Sequence, residues 1–139
     1  MRPATVQVSL KGMKTKRIMI IIGTILAATA VWVLEDPILG VNLAVKSGDS
    51  TQHIGVVSVI VASAFVALAA WALLAWFERR MKQPHRTWTV LASVIFVLSW
   101  LGPLGGVTTG AKLGLFAFHA VVAGILIARL PRTGKRTFV

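Results

Sequence analysis

The sequence predicts an all-α integral membrane protein, a four-helix bundle with both termini in the cytoplasm. Three observations carry this reading. The 139 residues are 56% hydrophobic and only 14% charged, with a mean hydropathy of +0.80; soluble domains sit nearer about 45–50% apolar and about 25% charged. The apolar residues collect into four long runs, and the Lys and Arg residues collect between them.

Residues 1–16 form a basic N-terminal arm. Its opening, MRPATVQVSLKG, shows no sustained period and reads as a mobile or surface-lying segment. The first run, 18–34 (IMIIIGTILAATAVWVL), and the second, 54–77 (IGVVSVIVASAFVALAAWALLAWF), contain no charged side chain. Their lengths match the roughly 17–25 residues that cross a hydrocarbon core. The third, 88–104, and the fourth, 113–128, lie near the lower limit, so their ends can slide into GGVTTGAK. Irregular backbone cannot face lipid, so each run is expected to be helical. The four would pack as one membrane domain ending in a basic tail, 129–139. MKTKRIMIIIGTILAATA also fits a signal peptide cleaved after Ala30. The retained span is preferred because the apolar run continues to Leu34. Glycines 102, 106, 110 and 114 recur at every fourth position, but Pro103 and Gly105 argue for a turn there. Gly23 with Ala27, and Ser63 with Ala67, are the expected points of close helix contact.

All but two of the 15 Lys and Arg residues, Lys46 and Lys112, fall in the arm or at Arg17 beside it, in ERRMKQPHR or in the tail. An even number of spans puts these three segments on one side, which the positive-inside rule makes the cytoplasmic face of the plasma membrane. Trp32 and Trp100 then lie near the outer boundary, and Trp76 and Trp88 near the inner one, as interfacial anchors. The net charge of +11 does not point to nucleic acid, because the basic residues form no polar face of a folded domain. There is no cysteine, hence no disulfide, thiolate nucleophile or Cys-ligated metal.

Sorting the polar residues by depth gives the candidate site. Glu35 and Asp36 follow the first span at the outer surface, Ser99 lies at the outer end of the third, and His119 lies within the fourth. An ionisable residue inside a span is costly and usually faces the bundle interior. The imidazole of His119 could join two helices by donating to Ser99 or to a carbonyl freed at Pro103; the alternatives are proton transfer and ligand contact. His119, Ser99, Trp100 and Trp32 form the candidate ligand-binding set, and Glu35, Asp36 and His119 the candidate acid and base. No metal site is expected, because His53 and His85 lie away from His119, and no cofactor is indicated. Glu78 reads as a local partner of Arg79 and Arg80 without a functional role. The outer loop, EDPILGVNLAVKSGDSTQH, contains apolar stretches and is either a lid over a cavity or a cap that satisfies its own hydrogen bonds; the cap is favoured.

WALLAWFERR, WTVLASVIFVLSWLGPL and LGLFAFHAVVAGILI together resemble a family of small four-span membrane proteins of actinobacteria known only as a domain of unknown function. The resemblance covers the last three spans, and Ser99, Pro103 and His119 correspond to its recurring elements. It implies an architecture and no settled activity.

Three classes of function follow. The first is a small non-enzymatic membrane protein, an accessory subunit or a binder of a lipophilic molecule in the outer half of the bundle, in contact with the lipid bilayer, a membrane-protein partner or a second copy of itself. The second is a membrane-embedded isomerase or terpenoid-cyclase-like enzyme, with Glu35 or Asp36 as acid and His119 as base. The third is a proton-coupled small-molecule exporter, which ranks lower because the first span lacks the deep carboxylate of small four-span exporters.

Overall fold

The computed structural model describes residues 4–133, with side-chain surroundings from Lys11 onward. Four helices dominate it: α1 (Ala4–Val33), α2 (Val56–Arg80), α3 (Pro84–Ser99) and α4 (Thr109–Arg129). With their flanking turns, all four are long and apolar enough to cross a membrane. Each packs against its neighbours in the chain, α4 returns to α1, and α2 meets α4 across the bundle. The α1–α2 connection and the α3–α4 connection therefore lie together at one end, called here the hairpin end. The opposite end carries the α2–α3 loop and most of the basic residues.

Helix lengths explain what the connections must do. At about 1.5 Å per residue, α1 runs about 45 Å and α3 only about 24 Å, against a hydrocarbon thickness of about 30 Å. The excess of α1 lies at the basic end. The basic arm, whose first twelve residues the sequence reads as a mobile or surface-lying segment, is helical from Ala4. Gly12 is the only Gly and there is no Pro between Ala4 and the apolar run, so a helix nucleated by that run can propagate outward through the basic residues. The deficit of α3 lies at the hairpin end, where Gly102 and Pro103 lead into a short 3-10 turn, Pro103–Gly105. The chain re-enters the bundle at α4, whose first turn is capped by Thr108: its Oγ1 accepts from the Ala111 N–H at 3.1 Å.

The α1–α2 connection is ordered to match. Strands β1 (Ala44–Ser47) and β2 (Ser50–His53) pair antiparallel, with Ala44 opposite His53 and Ser47 opposite Ser50. Gly48, at φ +63, supplies the backbone conformation that a two-residue hairpin turn of this kind demands. The hairpin is tied to the α3–α4 connection by a bridge between Val45 and Gly106, in which the Val107 N–H donates to the Ala44 carbonyl at 3.0 Å. Leu43, just before β1, is fully buried, and its carbonyl accepts from the Ile54 N–H at 2.7 Å. Leu43 and Ala44 thus plug this end of the bundle, while Ile38 and Leu39 stay exposed, and the hairpin's main chain is tied in by pairing.

Two apolar clusters fill the bundle. The larger, toward the basic end, joins Ile21, Leu74, Phe77, Leu126 and Leu130; the smaller, toward the hairpin, joins Ala28, Leu43, Val59 and Phe118. Ser63 and Ala67 are buried, as their small size suggests, but Gly23 is exposed with open space where a Cβ would stand. On α1 the contact face is Thr24 and Ala28. Trp88 also departs from the sequence reading: it is 4% exposed and belongs to the larger cluster, leaving Trp76, 52% exposed, as the aromatic facing outward near that end.

A Cβ at Gly106 would lie 2.9 Å from the main-chain nitrogen of Lys112, and main chain cannot swing aside. Gly106→Ala should therefore destabilise the protein by about 1–3 kcal/mol in detergent. Gly23→Ala should leave the melting temperature within error of the wild type or raise it.

Candidate functional site

The sequence places Glu35 and Asp36 at the surface; the structure separates their fates. Pro37 has no N–H and its ring crowds the preceding turn, so α1 ends in a wider π-type turn, Leu34–Ile38. There the Leu39 N–H donates to the Leu34 carbonyl at 2.9 Å, and Gly40, at φ +66, lets the Val41 N–H reach back to the Glu35 carbonyl at 2.8 Å. Such turns rotate side chains out of the regular helical sequence of faces. Glu35 is carried inward, to 9% exposure. Its Oε2 has no hydrogen-bond partner among the described residues, and it lies against α4 so closely that a Cβ at Gly114 would be 2.8 Å away. Leu43 Cδ2 sits beside it, 2.9 Å from the same point. Asp36 turns outward, and its Oδ1 is 3.6 Å from Nε2 of His53 on β2. Trp32, on the last turn of α1, donates from Nε1 to the Ile54 carbonyl at 3.0 Å and so ties α1 to the end of the hairpin.

His119 lies on another side of α4. Its Nδ1 is 2.7 Å from the Leu115 carbonyl, one turn earlier on the same helix. Because a carbonyl can only accept, Nδ1 carries the proton in this bond, and in a neutral ring Nε2 is left as the acceptor. Nε2 faces the turn that follows α3 at the hairpin end, 3.9 Å from where a Cβ on Gly102 would stand. The expected bond to Ser99 is not made: the Ser99 hydroxyl donates to the Phe96 carbonyl of its own helix at 2.7 Å. Trp100 stands edge-on between Phe96 and Phe116, with ring centroids 5.6 Å from each. Glu35 touches α4 at Gly114. Residues 114 and 119 are about 140° apart around an α-helix and about 7.5 Å apart along it. Glu35 and His119 therefore approach α4 from different sides. Among the described residues, no three His, Asp or Glu side chains come together as metal ligands.

The basic end holds a polar cluster that the sequence did not single out. Arg17, 4% exposed, donates from one terminal nitrogen to Glu78 Oε1 at 2.6 Å and from Nε to the Thr133 hydroxyl at 2.9 Å. Thr133 in turn donates to the Leu130 carbonyl at 2.7 Å. The partner of Glu78 is thus Arg17 on α1, rather than its neighbours Arg79 and Arg80. One signal was available: Arg17 directly precedes the first apolar run and Glu78 directly follows the second, so antiparallel pairing of the two helices brings them level. His85 Nε2 lies 3.6 Å from the same Glu78 oxygen. Beside this cluster opens a cleft of about 460 Å³, lined by Met13, Glu78, Lys82, Gln83, Pro84, His85 and Arg86.

The sequence model of a family of unknown function, DUF6069, matches residues 8–136. The chain belongs to that family, and the match takes in the first span as well as the last three. No curated protein and no solved structure matches the chain.

Removing one partner of a buried ion pair strands the other charge. Arg17→Leu or Glu78→Leu alone should cost about 3 kcal/mol of stability in detergent, near the lower end of the range because Glu78 keeps partial exposure. The double variant should recover most of that loss. A thermal unfolding series on the four proteins reads the coupling directly.

Proposed function

Starting from a family without an assigned activity, we propose that the protein is a non-enzymatic multi-pass protein of the plasma membrane, with both termini cytoplasmic. It holds a lipophilic molecule in the outer half of the bundle, with the Glu35 carboxyl as the recognition group. One observation carries this reading: Glu35 Oε2 is buried among apolar neighbours without a hydrogen-bond partner among the described residues. An unpaired buried acceptor costs about 1–3 kcal/mol. A hydroxyl or amine on an otherwise apolar ligand removes that cost on binding, and water in the hydrocarbon cannot substitute for it. The enzyme reading is weaker, because the acid and the imidazole address different sides of α4 and share no reacting atom. The orientation rests on the positive-inside rule, since the segments richest in Lys and Arg share the end opposite the hairpin.

The ligand is sought by gentle detergent extraction followed by native mass spectrometry. The wild type should retain an apolar adduct that Glu35→Ala loses, while Glu35→Gln, which keeps an acceptor oxygen, retains part of it; identical adduct spectra for all three would count against the reading. Orientation is tested separately, because the chain has no native cysteine. In intact cells, an impermeant maleimide should label Asp49→Cys from outside and reach Lys82→Cys only after permeabilisation. The reverse pattern would invert the topology.

A further inference from the structure

The cleft at the basic end is independent of Glu35 and points to a different ligand. Its polar wall comes from the α2–α3 loop and the first turn of α3: Lys82, Gln83, His85 and Arg86. The acid in that wall, Glu78, is already paired with Arg17 at 2.6 Å on the far side of the cluster, so its charge is largely neutralised and the cleft as a whole is cationic. Lys82 and Arg86 are exposed, and neither has a salt-bridge partner among the described residues. The first turn of α3 contains no acidic residue, and Gln83 at its start makes no side-chain cap. Pro84 has no N–H and the Thr87 N–H donates to the Gln83 carbonyl, so the His85 and Arg86 N–H groups are the free ones that add positive potential at the same place. Met13 closes the cleft with an apolar side chain from α1.

Depth selects the anion. Trp76 on α2, 52% exposed, marks the level of the membrane–water interface near this end. Below the cleft, α3 presents Val90, Val94 and Val97 outward, a surface along which an acyl chain can lie. Basic pockets between transmembrane helices on the cytoplasmic side suit phosphate headgroups. We propose that this cleft binds the phosphate of an anionic phospholipid, held by Lys82 and Arg86, with the lipid tails resting against α3.

The test uses the purified full chain in an uncharged detergent. Binding is followed by native mass spectrometry and thermal unfolding with dioleoylphosphatidylglycerol, with dioleoylphosphatidylcholine or with inorganic phosphate alone. The wild type should retain phosphatidylglycerol and melt higher in its presence, with little response to phosphatidylcholine. Removing both cations in Lys82→Gln/Arg86→Gln should weaken phosphatidylglycerol binding about thirtyfold. The exposed positions leave the unliganded melting temperature unchanged, and Lys82→Arg/Arg86→Lys should restore binding. Lys46→Gln/Lys112→Gln, which removes the same charge at the hairpin end, should bind as the wild type does. Equal binding of the two lipids, or undiminished binding by Lys82→Gln/Arg86→Gln, would overturn the proposal. Stabilisation by inorganic phosphate equal to that by phosphatidylglycerol would overturn the lipid headgroup as its source.

Discussion

Hydrocarbon offers no water to an unpaired N–H or C=O, and the rest of this structure depends on that constraint. Inside the helices it is met automatically. It becomes demanding at the hairpin end, where α3 stops at Ser99 and the crossing is completed by the turns up to Gly105. The solution is to bring the two connections at that end together. β1 pairs with β2, and β1 is linked in turn to Gly106 and Val107 of the α3–α4 connection. Leu43 fills the space beneath. The close approach at Gly106 follows, since a side chain there would meet the first turn of α4.

Against this background, the two ends treat buried charge in opposite ways. At the basic end, Arg17 and Glu78 face each other with Thr133 completing the guanidinium's bonds. A buried pair of this kind is held together by its own geometry and joins α1, α2 and the turn after α4. At the hairpin end, Glu35 is equally withdrawn from solvent, yet one of its oxygens has no donor among the described residues. The cause is local and covalent: Pro37 widens the last turn of α1 and rotates Glu35 inward, while Asp36 beside it turns out to His53. The same three residues, Glu-Asp-Pro, thus create one half-buried acid beside a histidine and one buried, unpartnered acid.

Composition and hydropathy made the four helices legible, because a hydrocarbon core reads length and polarity and little else. The helix limits depart from the apolar runs at several ends: α1 extends back to Ala4 and α2 on to Arg80, whereas α3 stops at Ser99 ahead of Gly102 and Pro103. The hairpin was not legible: AVKS and STQH are short and polar, and their strand character comes from pairing across space. Gly23 and Ala27 looked like a packing pair because spacing on one helix does not say which face meets a neighbour; Thr24 and Ala28 lie one position further along and do. His119 stood out in the sequence as an imidazole within a span, and its partner is the Leu115 carbonyl of its own turn, a bond open to any helical histidine. The pairing of Arg17 with Glu78 needed the register of α1 against α2, which the two run boundaries held in plain form.

Pro37 turns Glu35 inward and the paired cap, through Leu43, encloses it there; backbone amide exchange in lipid nanodiscs measures that cap directly. If the cap is fixed as described, the N–H groups of Ile54 and Val107, which donate to Leu43 and Ala44, should exchange as slowly as amides in the middle of α2 and α4, and Gly106→Ala should release them while the helix centres stay protected. Rapid exchange at both positions in the wild type, at the rate of an open loop, would contradict a main-chain-paired cap and with it the enclosure of Glu35.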